Sequence, residues 1–158
     1  MSEPSAIAIA GAGPAGLVAA TLLARAGRRV VVHEKNATVG ARFVGDVQVI
    51  EDASDPGERL PALFARLGLP APPWVPATSA EFFDARMRRF PIASHEPFGW
   101  FVRRGAEEGT LDATLLARAA ELRVANVVMM VNEAIERGLL HTDGDVVRFR
   151  HDLYAEAL

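Results

Sequence analysis

Residues 7–35 read IAIAGAGPAGLVAATLLARAGRRVVVHEK. Ala6–Ala10 alternates Ala and Ile and reads as a short strand buried on both faces. A helix is expected to start near Pro14, whose missing N–H costs nothing in a first helical turn. Leu17, Ala20, Thr21 and Ala24 then fall on one helical face. Gly27 marks the helix stop, and Arg29–His33 forms a Val-rich strand ending at Glu34. Strand, glycine-rich turn, helix and strand make a βαβ unit, which predicts an α/β, Rossmann-like fold with a parallel sheet.

The turn Gly11-Ala12-Gly13-Pro14-Ala15-Gly16 has the spacing of a phosphate-binding loop. Gly11 allows the tight turn out of the strand. Gly13 presents no side chain, so a diphosphate could approach the backbone, and Gly16 lets helix and strand pack closely. The helix end offers unpaired N–H groups and a partial positive charge. Glu34 lies about twenty residues further on, where a carboxylate can accept both hydroxyls of an adenosine ribose. A carboxylate there suits FAD or NAD and repels a 2′-phosphate. The motif does not separate FAD from NAD, and a glycine-rich turn in an unrelated α/β fold would leave Glu34 without a role.

Composition narrows the classes. The net charge of −3 is too small to point to nucleic acid or an anionic membrane. The chain has no cysteine, which excludes disulfides, thiolate metal sites and a redox dithiol, so redox work would need a bound cofactor. The four histidines, His33, His95, His141 and His151, lack metal-ligand spacing, and no metal is expected. Residues 6–24 are long and apolar enough to raise a membrane span, but Gly11, Gly13, Pro14 and Gly16 interrupt the run. The lack of basic residues ahead of it argues against a secretory signal, and a cytoplasmic location is expected.

Beyond Glu34, Gly40 and Gly45 mark turns. Residues 56–67 read as a helix stopped at Gly68, followed by the proline-rich LPAPPWVP as loop or extended chain. Strands are expected around Glu81–Asp84, Arg88–Ile92 and Phe98–Val102. A helix is expected over 111–122, with Thr110 and Asp112 as N-cap choices. Ala125–Val131 reads as a strand and Asn132–Arg137 as a helix. Asp143-Gly144 signals a hairpin between Leu139–Thr142 and Val146–Arg150, and Asp152 could cap a last short helix.

The stretch GAGPAGLVAATLLARAGRRVVVHEKNATVGARFVGD resembles the N-terminus of FAD-dependent oxidoreductases of the geranylgeranyl-reductase and aromatic-hydroxylase type. FGWFVRRGAEEGTLDATLLARAAELR, residues 98–123, resembles a later part of the same N-terminal half, where an arginine precedes an LDxxLLxxA helix. The resemblance implies that the glycine loop holds the FAD pyrophosphate and that Glu34 holds the ribose. It implies further that Lys35 lies beside the adenosine and that Arg42 reaches the phosphates or the flavin side. Arg103 or Arg104 is a further cofactor candidate, set against an ordinary surface role. Asp46 reads as a turn residue.

Family members are usually more than twice as long. They carry a second Gly-Asp flavin motif and a substrate domain, neither of which is recognisable here. The domain reading is therefore an incomplete, truncated FAD-binding domain over 1–123 and a small α+β tail over 124–158. In residues 132–158, NEAIERGLLHTDGDVVRFRHDLYAEAL, the tail resembles a winged-helix-like segment that follows the ATPase core of some large bacterial regulators, while the reading preferred from the residues themselves is a strand, a hairpin and a helix that finish the α/β domain. Its excess of acidic residues argues against DNA binding.

The expected function is an FAD-binding oxidoreductase domain, moving a hydride or electrons between a nicotinamide donor, flavin and a small organic substrate. No catalytic acid or base can be named, and turnover by this chain alone is not expected. The alternatives are a non-catalytic module holding FAD or NAD, and an inactive remnant fused to a regulator-like tail.

Overall fold

The computed structural model describes residues 5–52, 58–124, 140–143 and 146–149. It divides into two compact units, Met1–Val39 with Ala119–Leu158, and Gly40–Arg118.

The first unit contains the βαβ element. Strand β1 (Ile7–Ala10) leads into helix α1 (Pro14–Arg25), and strand β2 (Val30–His33) returns parallel to β1. The register runs from Ile7 opposite Val30 to Ala10 opposite His33. It extends one step further through the Gly11 N–H, which donates to the His33 carbonyl at 2.6 Å. Helix α1 packs on β2. Leu17, Ala20 and Thr21 are its buried residues, and Val30 and Val32 of β2 are buried as well. The helix closes at Gly27, whose φ of +75° is the left-handed conformation glycine adopts without steric cost.

Strand β1 departs from the expected double burial. Ile7 and Ile9 are half-buried, while Ala8 and Ala10 are exposed. Only β2 pairs with β1 among the described residues, and the alanine side of the strand stays exposed. Small side chains tolerate this placement because little apolar area is left in water.

The second unit holds strand β3 (Val47–Glu51), helix α2 (Leu60–Leu67), strands β4 (Trp74–Ala77), β5 (Ser79–Phe83), β6 (Arg89–Ala93) and β7 (Gly99–Arg103), and most of helix α3 (Leu111–Glu121). A three-stranded antiparallel sheet has the order β3-β7-β4. Its two faces differ. Trp74, Trp100 and Val102 share one face. There Phe64 of α2 meets the Trp74 ring edge-on at 5.1 Å, and Trp74 lies 5.3 Å from Trp100. On the other face Val49, Phe101 and Val75 form a row across the sheet, and all three are exposed. Pro76 sits in edge strand β4, where a missing ladder N–H is tolerated. Strands β5 and β6 form a hairpin with Glu81 opposite Pro91 and an ion pair between the Glu81 and Arg89 side chains.

Helix α2 begins at Leu60, later than the expected start at residue 56. Pro61 stands in its first turn, and Arg59 provides no side-chain cap. The cap comes from a distance. Buried Asp52 accepts the Leu60 N–H at 2.6 Å, and its other oxygen accepts the Trp100 indole N–H at 3.2 Å.

Strands β8 (Leu140–Asp143) and β9 (Val146–Phe149) pair antiparallel with Asp143 opposite Val146, in keeping with the hairpin expected here, except that Asp143 belongs to the strand rather than the turn. The strand expected at Ala125–Val131, the helix at Asn132–Arg137 and the helix after Asp152 lie outside the described residues. No described helix is long and apolar enough to cross a membrane.

Candidate functional site

The register of β1 and β2 determines what meets at their carboxyl ends. Gly11 leaves the strand with φ +94°, a value few other residues adopt. The turn then directs the Ala12 N–H to Oε2 of Glu34 at 2.8 Å. Residues 22 positions apart are thereby joined, with the acidic side chain directly beside the glycine loop. The other carboxylate oxygen, Oε1, accepts the Asn36 main-chain N–H at 2.9 Å and the Asn36 side-chain amide at 2.8 Å.

The loop is built tightly on one side and openly on the other. A Cβ at Gly16 would stand 2.0 Å from the Gly11 carbonyl oxygen, so only glycine permits this turn to fold back on its helix. A Cβ at Gly13 would meet nothing within 4 Å. Gly13 is the N-cap of α1, with φ −73° and ψ 176°, and no side chain caps the helix. Pro14 is in the first turn and no acidic residue stands there. The positive end of a twelve-residue helix is therefore not neutralised by a first-turn carboxylate. An uncapped helix end with open space at its N-cap is a general setting for an anionic group.

Six sequence-predicted residues, Gly11, Ala12, Gly13, Pro14, Ala15 and Gly16, thus share one turn with Glu34 at its side. Lys35 follows Glu34 and is exposed. Arg42 belongs to the second unit, is exposed, and lays its guanidinium 5.4 Å from the Phe43 ring centre. Asn36 was not among the residues expected at the site. Its signal in the sequence is slight, a short amide donor two positions after the acidic residue.

His33 is buried, and neither ring nitrogen has a hydrogen-bond partner among the described residues. Among the described residues there is no group of three or more His, Asp or Glu side chains placed to hold a metal.

The arginines near residue 103 are engaged within the second unit. Arg103 is exposed and pairs with Glu107 at 3.0 Å. Arg104 binds both oxygens of Asp112, at 2.7 and 2.9 Å, and donates to the Gln48 side chain at 2.6 Å. Its guanidinium also lies 4.3 Å from the Phe43 ring centre. Asp112 additionally accepts the Gly105 N–H at 3.1 Å. Burial pushes the Asp112 carboxyl up, but its hydrogen bonds from Arg104 and Gly105 and the nearby positive charge outweigh this and hold it below the usual carboxylate range. Asp112 is therefore an ion-pair anchor. Thr110 takes the N-cap role for α3, its Oγ1 accepting the Ala113 N–H at 3.2 Å.

A separate depression of about 600 Å³ in the second unit is lined by Asp52, Arg59 and residues 93–98. Arg59 there already pairs with Glu96 and donates to the Pro97 carbonyl at 3.1 Å.

Comparison with known proteins agrees with this geometry at the level of fold. Residues 9–60 match the family of the NAD(P)-binding Rossmann-like domain. No curated protein matches the chain significantly. Among solved structures, 2-methyl-3-hydroxypyridine-5-carboxylic acid oxygenase is 22% identical with a TM-score of 0.54, covering 80% of this chain and 32% of its own. A geranylgeranyl bacteriochlorophyll reductase-like protein from Thermoplasma acidophilum is 16% identical with a TM-score of 0.56, covering 89% of this chain and 32% of its own. A flavin-dependent brominase is 21% identical with a TM-score of 0.52, covering 90% of this chain and 33% of its own. The chain has a Rossmann-like nucleotide-binding fold and spans about a third of the length of these structures.

Proposed function

We propose that the chain binds FAD, with the Gly11–Gly16 turn holding the pyrophosphate and Glu34 the adenosine ribose. The observation that carries this reading is the 2.8 Å bond from Ala12 to Glu34 beside the open approach at Gly13. The fold shared with an oxygenase, a reductase-like protein and a flavin-dependent brominase supports FAD over NAD as the ligand. Lys35 is assigned to the same cofactor, beside the adenosine; the resemblance also implies a cofactor role for Arg42, which belongs to the second unit.

Bound flavin would supply hydride or electron transfer between a nicotinamide donor and a small organic substrate. The residues of this chain bind and orient. Backbone N–H groups of the loop and the uncapped end of α1 offset phosphate charge, and Glu34 favours a ribose without a 2′-phosphate. Residues 1–123 form the cofactor-binding part of this reading. Turnover by the chain alone is not part of it, because no described residue is placed as a catalytic acid or base.

A second reading is a dinucleotide-binding module without catalysis, with NAD as the alternative ligand. It is favoured by the match of residues 9–60 to an NAD(P)-binding domain. The test is flavin absorbance of the purified chain together with calorimetric titration by FAD and by NAD. Tight FAD binding lost in Gly13→Val supports the first reading. Binding of NAD alone supports the second. Binding of neither removes both.

A further inference from the structure

The hydrogen bonds at Glu34 raise a problem of supply and demand. A carboxylate offers about four lone-pair positions, two on each oxygen. Oε1 receives two donors, the main-chain N–H and the side-chain amide of Asn36. Oε2 receives one, the Ala12 N–H. One position is left, on Oε2. A ribose diol brings two hydroxyl donors. The first can add to Oε2 without disturbing the site. The second has to replace a donor already in place.

The three existing donors are not equally replaceable. The Ala12 N–H belongs to a turn tied to β2 by the Gly11–His33 bond. The Asn36 N–H is part of the main chain just beyond β2. The Asn36 carboxamide, on a half-buried residue, turns about two side-chain bonds and can leave without moving the backbone. The two main-chain donors, one on each oxygen, suffice to orient the carboxylate. The side-chain donor is redundant for orientation and competes for Oε1.

We infer that Asn36 is a specificity-determining residue of the ribose site, whose side-chain amide holds an acceptor position on Glu34 against the second ribose hydroxyl. This inference rests on the ribose reading of Glu34 given above. Its consequence runs opposite to that of an ordinary binding contact. Removing the Asn36 amide exposes an acceptor for the second hydroxyl and tightens ligands that carry both. A ligand with a single ribose hydroxyl uses Oε2 and is indifferent to the change. A merely structural role for Asn36 would weaken both ligands alike.

The experiment is calorimetric titration of the full chain with ADP and with 2′-deoxy-ADP, for wild type, Asn36→Ala, Asn36→Leu and Glu34→Gln. The ratio of the two dissociation constants is the readout. Wild type prefers ADP modestly, and Glu34→Gln removes the preference. In Asn36→Ala the preference grows about three- to tenfold, the scale of one net hydrogen bond. Its source is tighter ADP, with 2′-deoxy-ADP unchanged. Asn36→Leu, which keeps the volume and lacks the donor, moves the ratio the same way. A preference unchanged or reduced in both Asn36 variants, with Glu34→Gln still abolishing it, overturns the inference and leaves the ribose reading standing. Equal affinities for the two nucleotides in wild type, in both Asn36 variants and in Glu34→Gln alike, or no binding of either, overturn the ribose reading and the inference with it.

Discussion

Ala12 and Glu34 are joined by a main-chain N–H to carboxylate bond of 2.8 Å that closes the end of the β1–β2 pair over the glycine turn. The bond fixes where a negatively charged side chain stands relative to the open end of α1. It also divides the loop residues into those that hold the turn together and those that leave it accessible.

Gly13 and Gly16 fall on opposite sides of that division. Gly13 has ordinary extended backbone angles, and a Cβ there would have no neighbour within 4 Å, so Gly13→Val should fold like wild type and lose dinucleotide binding. Gly16→Ala drives a methyl group into the Gly11 carbonyl and should lower stability by about 1–3 kcal/mol, the usual range for overpacking. Thermal melts by circular dichroism, paired with calorimetric titration, separate the two effects. A destabilised Gly13→Val that still binds would contradict the assignment of the open side.

Glu34→Ala should weaken FAD or NAD binding by about 1–3 kcal/mol, the scale of charge-assisted hydrogen bonds. It also frees the Ala12 N–H, so a small loss of thermal stability is expected beside the loss of affinity. Titration with inorganic pyrophosphate, which has no ribose and gains a freed loop donor without the neighbouring carboxylate, should show no loss of affinity in the variant.

Asp112 makes the second unit sensitive to acid. Its carboxyl is held below the usual range in the folded chain, so it contributes stability at pH values above its unfolded value of about 3.9. That contribution declines as pH falls through and below this value toward the folded one, and is gone once both forms are protonated. Asp112→Ala leaves the largely buried Arg104 guanidinium without its carboxylate and should cost about 3 kcal/mol near neutral pH. Urea unfolding at pH 7 and pH 3 checks this. The gap between variant and wild type should narrow at the lower pH.

His33 carries two buried ring nitrogens without partners among the described residues, a polar burial that costs stability. His33→Leu should raise stability by about 1 kcal/mol, since the main-chain carbonyl that accepts from Gly11 is retained. A differential scanning calorimetry trace showing a lower melting temperature would indicate that the imidazole is engaged in solution.

The parts of this fold set by local chemistry were readable from residue order. The βαβ unit follows from valine and isoleucine strands around a helix with Pro14 at its start and Gly27 at its stop. The hairpins at 79–93 and 140–149 follow from apolar runs around short turns. What was not readable depends on residues distant in the chain. The β3–β7 pairing joins segments some fifty residues apart, and nothing in Val47–Glu51 names its partner. The start of α2 depends on a cap from Asp52, and Ala8 and Ala10 are exposed where burial was expected, with no described element packed over them. At the site, Glu34 was legible because an acidic residue at that distance has a known chemical use. Asn36 was not, because its role exists only once the carboxylate is seen to hold three donors. Asp112 looked like a helix cap by position, and its partner Arg104 became visible only in three dimensions.

The aromatic stack of the second unit gives the molecule an optical address. Both tryptophans of the chain, Trp74 and Trp100, stand together there, one of them tied through its indole to Asp52. Ultraviolet-excited tryptophan emission therefore reports the melting of Gly40–Arg118 rather than of the βαβ segment. Comparing its transition with the far-ultraviolet signal would reveal whether the two units come apart in one step or two.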